Sequence, residues 1–186
     1  MKLFFTLFSI LCLHICLAQT ANQKVRYTQN LDAYVGVWEY ATATDTFRIV
    51  LKKGISSRTF SYSECLIGGY RYVKQNSLIG NYTQGPIPSV FLVDDFDESN
   101  SAITVQGTNA AVDPNMVNPN VIRIFFKDMG LGKTTQGGKM QLLSPTQAHW
   151  TLEDDIEGIY DVTEPPIYGF SVPVDIIMTR ISSIVP

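Results

Sequence analysis

Thr46-Phe47-Arg48-Ile49-Val50-Leu51 decides the fold class. Its apolar residues Phe47, Ile49 and Leu51 alternate with Thr46 and Arg48, the two-residue period of a strand with one buried face. The same period returns in Ile122, Ile124 and Phe126 against Arg123 and Lys127. It returns again in Ala148, Trp150 and Leu152 against Gln147, His149 and Thr151. Near the C-terminus, Val172, Val174, Ile176 and Met178 share one face, with Asp175 and Thr179 on the other.

Working outward, further strands are expected at 34–41, 58–63, 66–74, 90–94, 102–107 and 139–143. Gly85-Pro86, Asn100-Ser101, Gly137-Gly138 and Ser144-Pro145 fall between apolar runs and read as turns. No window long enough for a helix carries a helical stripe. One helical turn is expected at Asn30-Leu31-Asp32-Ala33-Tyr34, with Asn30 as its cap. Many short strands in one chain point to an all-β antiparallel barrel or sandwich of about eight to ten strands. A closed barrel is favoured because closure leaves no sticky edge strand. Two long connections, 108–120 and 163–169, would sit where a binding rim could form.

The chain has 186 residues, 45% of them hydrophobic and 17% charged, with a net charge of −3. That is ample for one packed core and a poor match for a polyanion, so no nucleic-acid partner is expected. Met1 and Lys2 precede an apolar run from Leu3 to Leu17, then Ala18, Gln19 and polar sequence. A basic start, a short apolar core and a small final residue describe an export signal, with cleavage expected after Ala18. The run is too short to cross a bilayer, and no other segment is longer, so no transmembrane segment is expected after processing. The expected organisation is a cleaved signal at 1–18, a loose arm at 19–30 and one barrel domain at 31–186. Export would place the protein in the periplasm or outside the cell. Cys12 and Cys16 leave with the signal, and Cys65 remains as a buried small hydrophobe rather than a reactive thiol.

Gly36-Val37-Trp38 on the first barrel strand and Arg180 on the last resemble the signature of the lipocalin and fatty-acid-binding superfamily. There, a tryptophan on the first strand packs under a basic residue from the far end of the chain. A guanidinium over the Trp38 ring would gain a cation–π contact and close one end of the barrel. A second resemblance covers most of the chain past the signal. Gly36-Val37-Trp38-Glu39-Tyr40, the run from Thr46 to Lys53, the run from Gly68 to Lys74 and the run from Gly169 to Arg180 are similar to a family of small secreted flavobacterial proteins. That family looks lipocalin-like and has no established function. The resemblance implies an antiparallel lipocalin-like or calycin-type barrel with at most one short helical turn, and it transfers no active site.

Several stretches invite chemistry. Gly130-Leu131-Gly132-Lys133-Thr134 looks like the tail of a phosphate-binding loop, but the glycine five residues before Gly132 is missing, because Lys127 stands there. A hairpin loop is the better reading. His149 has no nucleophile elbow to serve and reads as a solvent-facing strand histidine, leaving a hydrolase-like site around it a minor alternative. Asp94-Asp95-Phe96-Asp97-Glu98-Ser99-Asn100 offers oxygen ligands from Asp95 at alternate positions, without the glycine and glutamate of an EF-hand. Glu153-Asp154-Asp155-Ile156-Glu157 is a second acidic cluster. Four up-and-down strands between them would place both at one barrel end, where Asp95, Asp97, Asp154 and Asp155 could form a weak calcium site. No other cofactor is expected. Asn81-Tyr82-Thr83 is formally a glycosylation acceptor.

The leading functional expectation is a non-enzymatic monomer binding a small apolar or amphipathic ligand in the barrel mouth. The alternative is a structural or interaction module of the cell envelope whose barrel is filled by its own side chains. The aromatic residues could line a cavity or plug one, and only a tertiary structure separates the two.

Overall fold

The computed structural model describes residues 25–26, 30–58, 61–83, 90–92, 104–108, 118, 120–154 and 168–184. Its strands are β1 (Val25–Arg26), β2 (Gly36–Ala41), β3 (Thr46–Arg58), β4 (Ser61–Lys74), β5 (Ser77–Asn81) and β6 (Val90–Leu92). They continue as β7 (Val105–Thr108), β8 (Val121–Asp128), β9 (Lys133–Ser144), β10 (Gln147–Thr151) and β11 (Asp175–Ser182). One 3-10 turn, η1 (Leu31–Tyr34), precedes β2. Among the described residues it is the only helical element.

Eight strands close into an antiparallel barrel of lipocalin-like type. The circuit runs β2, β3, β4, β7, β8, β9, β10, β11 and returns to β2 through Thr179↔Glu39 and Arg180↔Trp38. Barrel neighbours follow one another along the chain, with longer connections at 75–104 between β4 and β7 and at 152–174 between β10 and β11, and the pairing of β11 with β2 leaves no barrel edge open. The remaining strands are appendages. β5 extends the upper part of β4, while β1 and β6 pair in parallel with the far parts of β4 and β3. Val25–Arg26, inside the expected loose arm, is thus fixed against Tyr62 and Ser63.

The alternation that marked the strands also sorts their faces. Phe47, Ile49 and Leu51 are fully buried, as are Ile122, Ile124 and Phe126, and Ala148 and Trp150. These inward residues join Leu31 and Tyr34 of η1, Trp38, Leu66, Tyr70, Met140 and Met178 in one core.

Four local expectations are corrected. The expected break between 58–63 and 66–74 is absent: Ser61–Lys74 is the single strand β4, paired with β3 from Ser61 to Val73, while Arg58 ends β3 and 59–60 lie outside the described residues. Gly137-Gly138 is not a turn but lies inside β9, where a Cβ on Gly138 would stand 2.7 Å from the Ile124 carbonyl oxygen. Glycine there marks close approach of two strands rather than a reversal. Asn30 does not cap η1 through its side chain and instead adopts a left-handed backbone with φ 67°. On the last strand, Met178 points inward but Val174 lies outside β11 and is exposed, because the strand begins only at Asp175.

The β4 corner shows why its paired glycines are needed. A Cβ on Gly68 would fall 1.7 Å from the Val50 carbonyl oxygen, and one on Gly69 would fall 1.8 Å from that of Tyr82. Below this corner β4 pairs with β7 through Leu66–Gly68, and above it with β5 through Arg71–Lys74. One long strand therefore changes partner at Gly68-Gly69, and the chain passes against it on both sides.

Candidate functional site

The first barrel end is built around Trp38. Its indole is fully buried and donates to the Tyr34 carbonyl at 2.8 Å, tying η1 to β2. The Arg180 guanidinium lies 5.2 Å from the centre of the Trp38 ring. It also donates to the carbonyls of Val35, Ala33 and Asp32 around η1, and to that of Pro145 in the β9–β10 turn. Gly36 admits this arrangement. Its φ is +135°, and a Cβ would stand 2.2 Å from the Ser182 carbonyl oxygen and 3.2 Å from Arg180 Nε. The structure thus brings Gly36, Trp38 and Arg180 into one cluster. Arg180→Ala is expected to lower stability by about 2–4 kcal/mol, read as a fall in Tm, because a packed, multiply bonded cation is lost and its carbonyls are left bare.

Tyr34 sits in the same region, fully buried. Its hydroxyl lies beside the Leu142 amide, but that amide already donates to the Asn120 carbonyl at 2.8 Å. The hydroxyl is left without a hydrogen-bond partner, and burial pushes the phenol well above its ordinary pKa. Removing an unsatisfied buried hydroxyl relieves its desolvation. Tyr34→Phe is therefore expected to leave Tm unchanged or raise it, by up to about 1 kcal/mol of stability.

The barrel interior is occupied by rings. Phe47 of β3 meets Trp150 of β10 with centroids 5.8 Å apart, across three steps of the barrel circuit. Trp150 meets Phe126 of β8 at 5.8 Å, and Phe126 meets Tyr70 of β4 at 5.0 Å. Tyr70 returns to Phe47 at 6.0 Å, completing a circuit of four aromatics in which each ring touches two others. Tyr72 and Tyr82 pack on its flank. Tilted and edge contacts at these distances add to the burial term.

The second barrel end carries a strap, residues 168–174, laid over the β8–β9 turn. Asp128 at the end of β8 is fully buried. One of its carboxylate oxygens accepts from the Ser171 amide at 2.6 Å, and the other from the Ser171 hydroxyl and from the Gly130 and Leu131 amides. The Tyr70 hydroxyl accepts from the Met129 amide beside it. Val172 of the strap is buried in the core, and Trp150 Nε1 donates to the Pro173 carbonyl at 3.3 Å. Lys133 anchors the near side. Its ammonium pairs with Asp154, donates to the Gly169 carbonyl at 3.0 Å and lies 4.5 Å from the centre of the Phe170 ring.

The residues 130–134 are accounted for here. Met129–Gly132 make the turn, Gly132 takes a φ of +64°, and Lys133 opens β9. Asp154 has both oxygens engaged, one by Lys133 and the other by the Gly169 amide at 2.9 Å. The Lys133 ammonium, and then the Gly169 amide, hold its carboxyl below the usual carboxylate range. A depressed folded value means that the pair stabilises above the unfolded pKa near 4 and loses this as pH falls through the folded value. For a partly exposed pair the effect is about 0.5–1 kcal/mol. Asp154→Asn is expected to lower Tm slightly at neutral pH, with the difference from the wild type closing as pH falls through the folded value of the Asp154 carboxyl; thermal melts over a pH series check it.

Asp95, Asp97 and Asp155 lie outside the described residues. The chain does enter β7 and leave β10 at the same barrel end, as Val105↔Phe126 and Thr151↔Lys139 show, with β7, β8, β9 and β10 as successive neighbours. Among the described residues, no three histidine, cysteine, aspartate or glutamate side chains converge. His149 lies on the outer wall, with Nε2 2.6 Å from Asp175 Oδ1. Cys65 is buried, with its thiol 3.7 Å from the Gly54 carbonyl. No helix among the described residues is long and apolar enough to cross a membrane. Sequence reasoning missed Asp128, Ser171 and Lys133 as the strap's anchors. Each is an ordinary polar residue beside a turn, and only the long-range fold joins positions 128 and 171.

A sequence family of unknown function, DUF6705, matches residues 1–181. No curated protein and no solved structure matches the chain.

Proposed function

We propose that this chain, which belongs to the DUF6705 family of unknown function, is a non-enzymatic scaffold that acts through its outer surface rather than through a ligand held inside the barrel. The observation that carries this reading is the closed set of ring contacts among Phe47, Tyr70, Phe126 and Trp150. Side chains from strands as many as three steps apart around the barrel touch across its interior, so the section where a barrel of this size would hold a ligand is taken up by the chain's own rings. Both ends add to it, one through Trp38 and Arg180, the other through the strap pinned on Asp128. The same reading includes export: residues 1–18 are removed, and the secreted lipocalin-like protein works in the periplasm or outside the cell.

Native mass spectrometry of the purified protein tests the filled interior. The mass of the bare polypeptide is expected, together with no displacement of an apolar reporter dye by fatty acids or aromatic compounds. A stoichiometric apolar compound travelling with the protein would overturn the reading and restore ligand binding in the mouth. N-terminal sequencing of the exported form is expected to begin at Gln19.

A further inference from the structure

The two barrel ends are closed in different ways. At the first, Trp38 and Arg180 face each other on β2 and β11, the strands whose pairing closes the barrel. That end cannot open without breaking the circuit. At the second, the strap belongs to no strand, because β11 begins only at Asp175 and closes onto β2 without residues 168–173. The strap's apolar hold is small. Val172 is buried and Phe170 packs partly against the core, while Tyr168 stands 68% exposed. Its polar contacts run to two places. Ser171 reaches Asp128 and the Gly169 carbonyl reaches Lys133 at the β8–β9 turn. The Gly169 amide reaches Asp154 and the Pro173 carbonyl reaches Trp150, both in the stretch 150–154.

We propose that residues 168–173 are a lid that opens as one unit while the eight-strand barrel stays closed, with the Asp128 carboxylate as its latch. The root of the lid is fixed. The Leu152 amide donates to the Val174 carbonyl at 2.8 Å, next to the start of β11. Asp128 is buried and, among the described residues, no cation pairs with it. A buried carboxylate without a cation needs hydrogen-bond donors in place of water. Asp128 has four, and the strap supplies two of them, the Ser171 amide and hydroxyl. The Gly130 and Leu131 amides of its own turn supply the others and stay with it when the strap lifts. Water then takes the place of Ser171, so much of the loss is returned. A segment held by few buried apolar contacts and by hydrogen bonds near solvent opens locally, far more often than the whole chain unfolds. Opening uncovers the Trp150 indole N–H and the seat of Val172 in the core. This is therefore the end at which the interior rings meet solvent.

Amide hydrogen exchange of the whole protein, followed by NMR at neutral pH in rising sub-denaturing guanidinium, tests the lid. The Gly169 and Ser171 amides, each bonded to a different carboxylate, are expected to share one protection factor. That factor should lie at least about a hundredfold below those of the β8 and β9 ladder amides and be insensitive to denaturant. Asp128→Asn is expected to lower the protection of both strap amides by about a hundredfold. Ser171→Ala removes one latch bond but spares the turn, so it stays informative if the Asp128→Asn turn does not form. It is expected to lower both amides together, by about tenfold. Asp154→Asn should also lower both, by less, because its carboxylate is partly exposed. Strap amides that differ in protection, or that exchange only along with the ladder amides, overturn the lid. A variant that lowers Ser171 without Gly169 does the same. A larger effect from Asp154→Asn than from Ser171→Ala overturns Asp128 as the latch.

Discussion

Gly68→Ala is expected to abolish the folded state. The added methyl would lie 1.7 Å from the Val50 carbonyl oxygen, 2.8 Å from its carbon and 3.3 Å from the Leu51 Cα. Overpacking in a core typically costs about 1–3 kcal/mol because side chains can turn aside. Here all three obstacles are backbone, and they belong to the β3–β4 pairing that forms the longest ladder of the barrel. Relief requires opening that ladder, a loss comparable with the roughly 5–15 kcal/mol that stabilises an ordinary domain. The check is circular dichroism with thermal melting. No cooperative transition is expected, whereas Gly132→Ala, with no heavy atom within 4 Å of its Cβ and only a φ of +64° to strain, should melt at about 1–2 kcal/mol below wild type. A Gly68→Ala protein melting within about 5 °C of wild type would show that the β4 corner is not as tight as its geometry requires.

Trp150→Ala is the second large effect, with an expected loss of about 3–5 kcal/mol and a Tm lower by about 6–20 °C. The indole is fully buried, touches Phe47 and Phe126 at 5.8 Å each, and donates to the strap at Pro173. Its removal cuts the interior ring circuit at two contacts and leaves an apolar void in the barrel centre. Such voids stay dry and take up small aromatic molecules. Indole added to Trp150→Ala should therefore recover part of the lost Tm while leaving the wild type unaffected. A loss below about 1 kcal/mol, or stabilisation of the wild type by indole, would mean that the native interior has spare room.

The strand faces were legible because alternation is a local property. Phe47, Ile49 and Leu51 had to share one side of any strand containing them, and so did Ile122, Ile124 and Phe126. The pairing of Gly36 and Trp38 with Arg180 was legible only through resemblance, since nothing local ties position 38 to position 180. Glycine misled the reading at Gly137-Gly138, because the residue that permits a tight turn is also the one that lets two backbones come together. Which role applies depends on whether another strand lies alongside, and Ile124 does. The strand Ser77–Asn81 was missed because its residues, with Leu78 and Ile79 exposed, carry no burial alternation. The expected calcium residues Asp95, Asp97 and Asp155 lie outside the described residues, while the strap anchors Asp128 and Ser171 came into view only when the chain was folded.

Local sequence was enough for the all-β class, for the inward faces and for the helical turn at Leu31–Tyr34, since each depends on neighbours within a few residues. Closure with eight strands, the meeting of rings from strands three steps apart inside the barrel, and the clamp of Asp128 on a strap 43 residues away emerged only from the folded chain. Those outcomes turn on contacts between distant segments, where side-chain volume and hydrogen-bond geometry in three dimensions replace periodicity as the governing constraint.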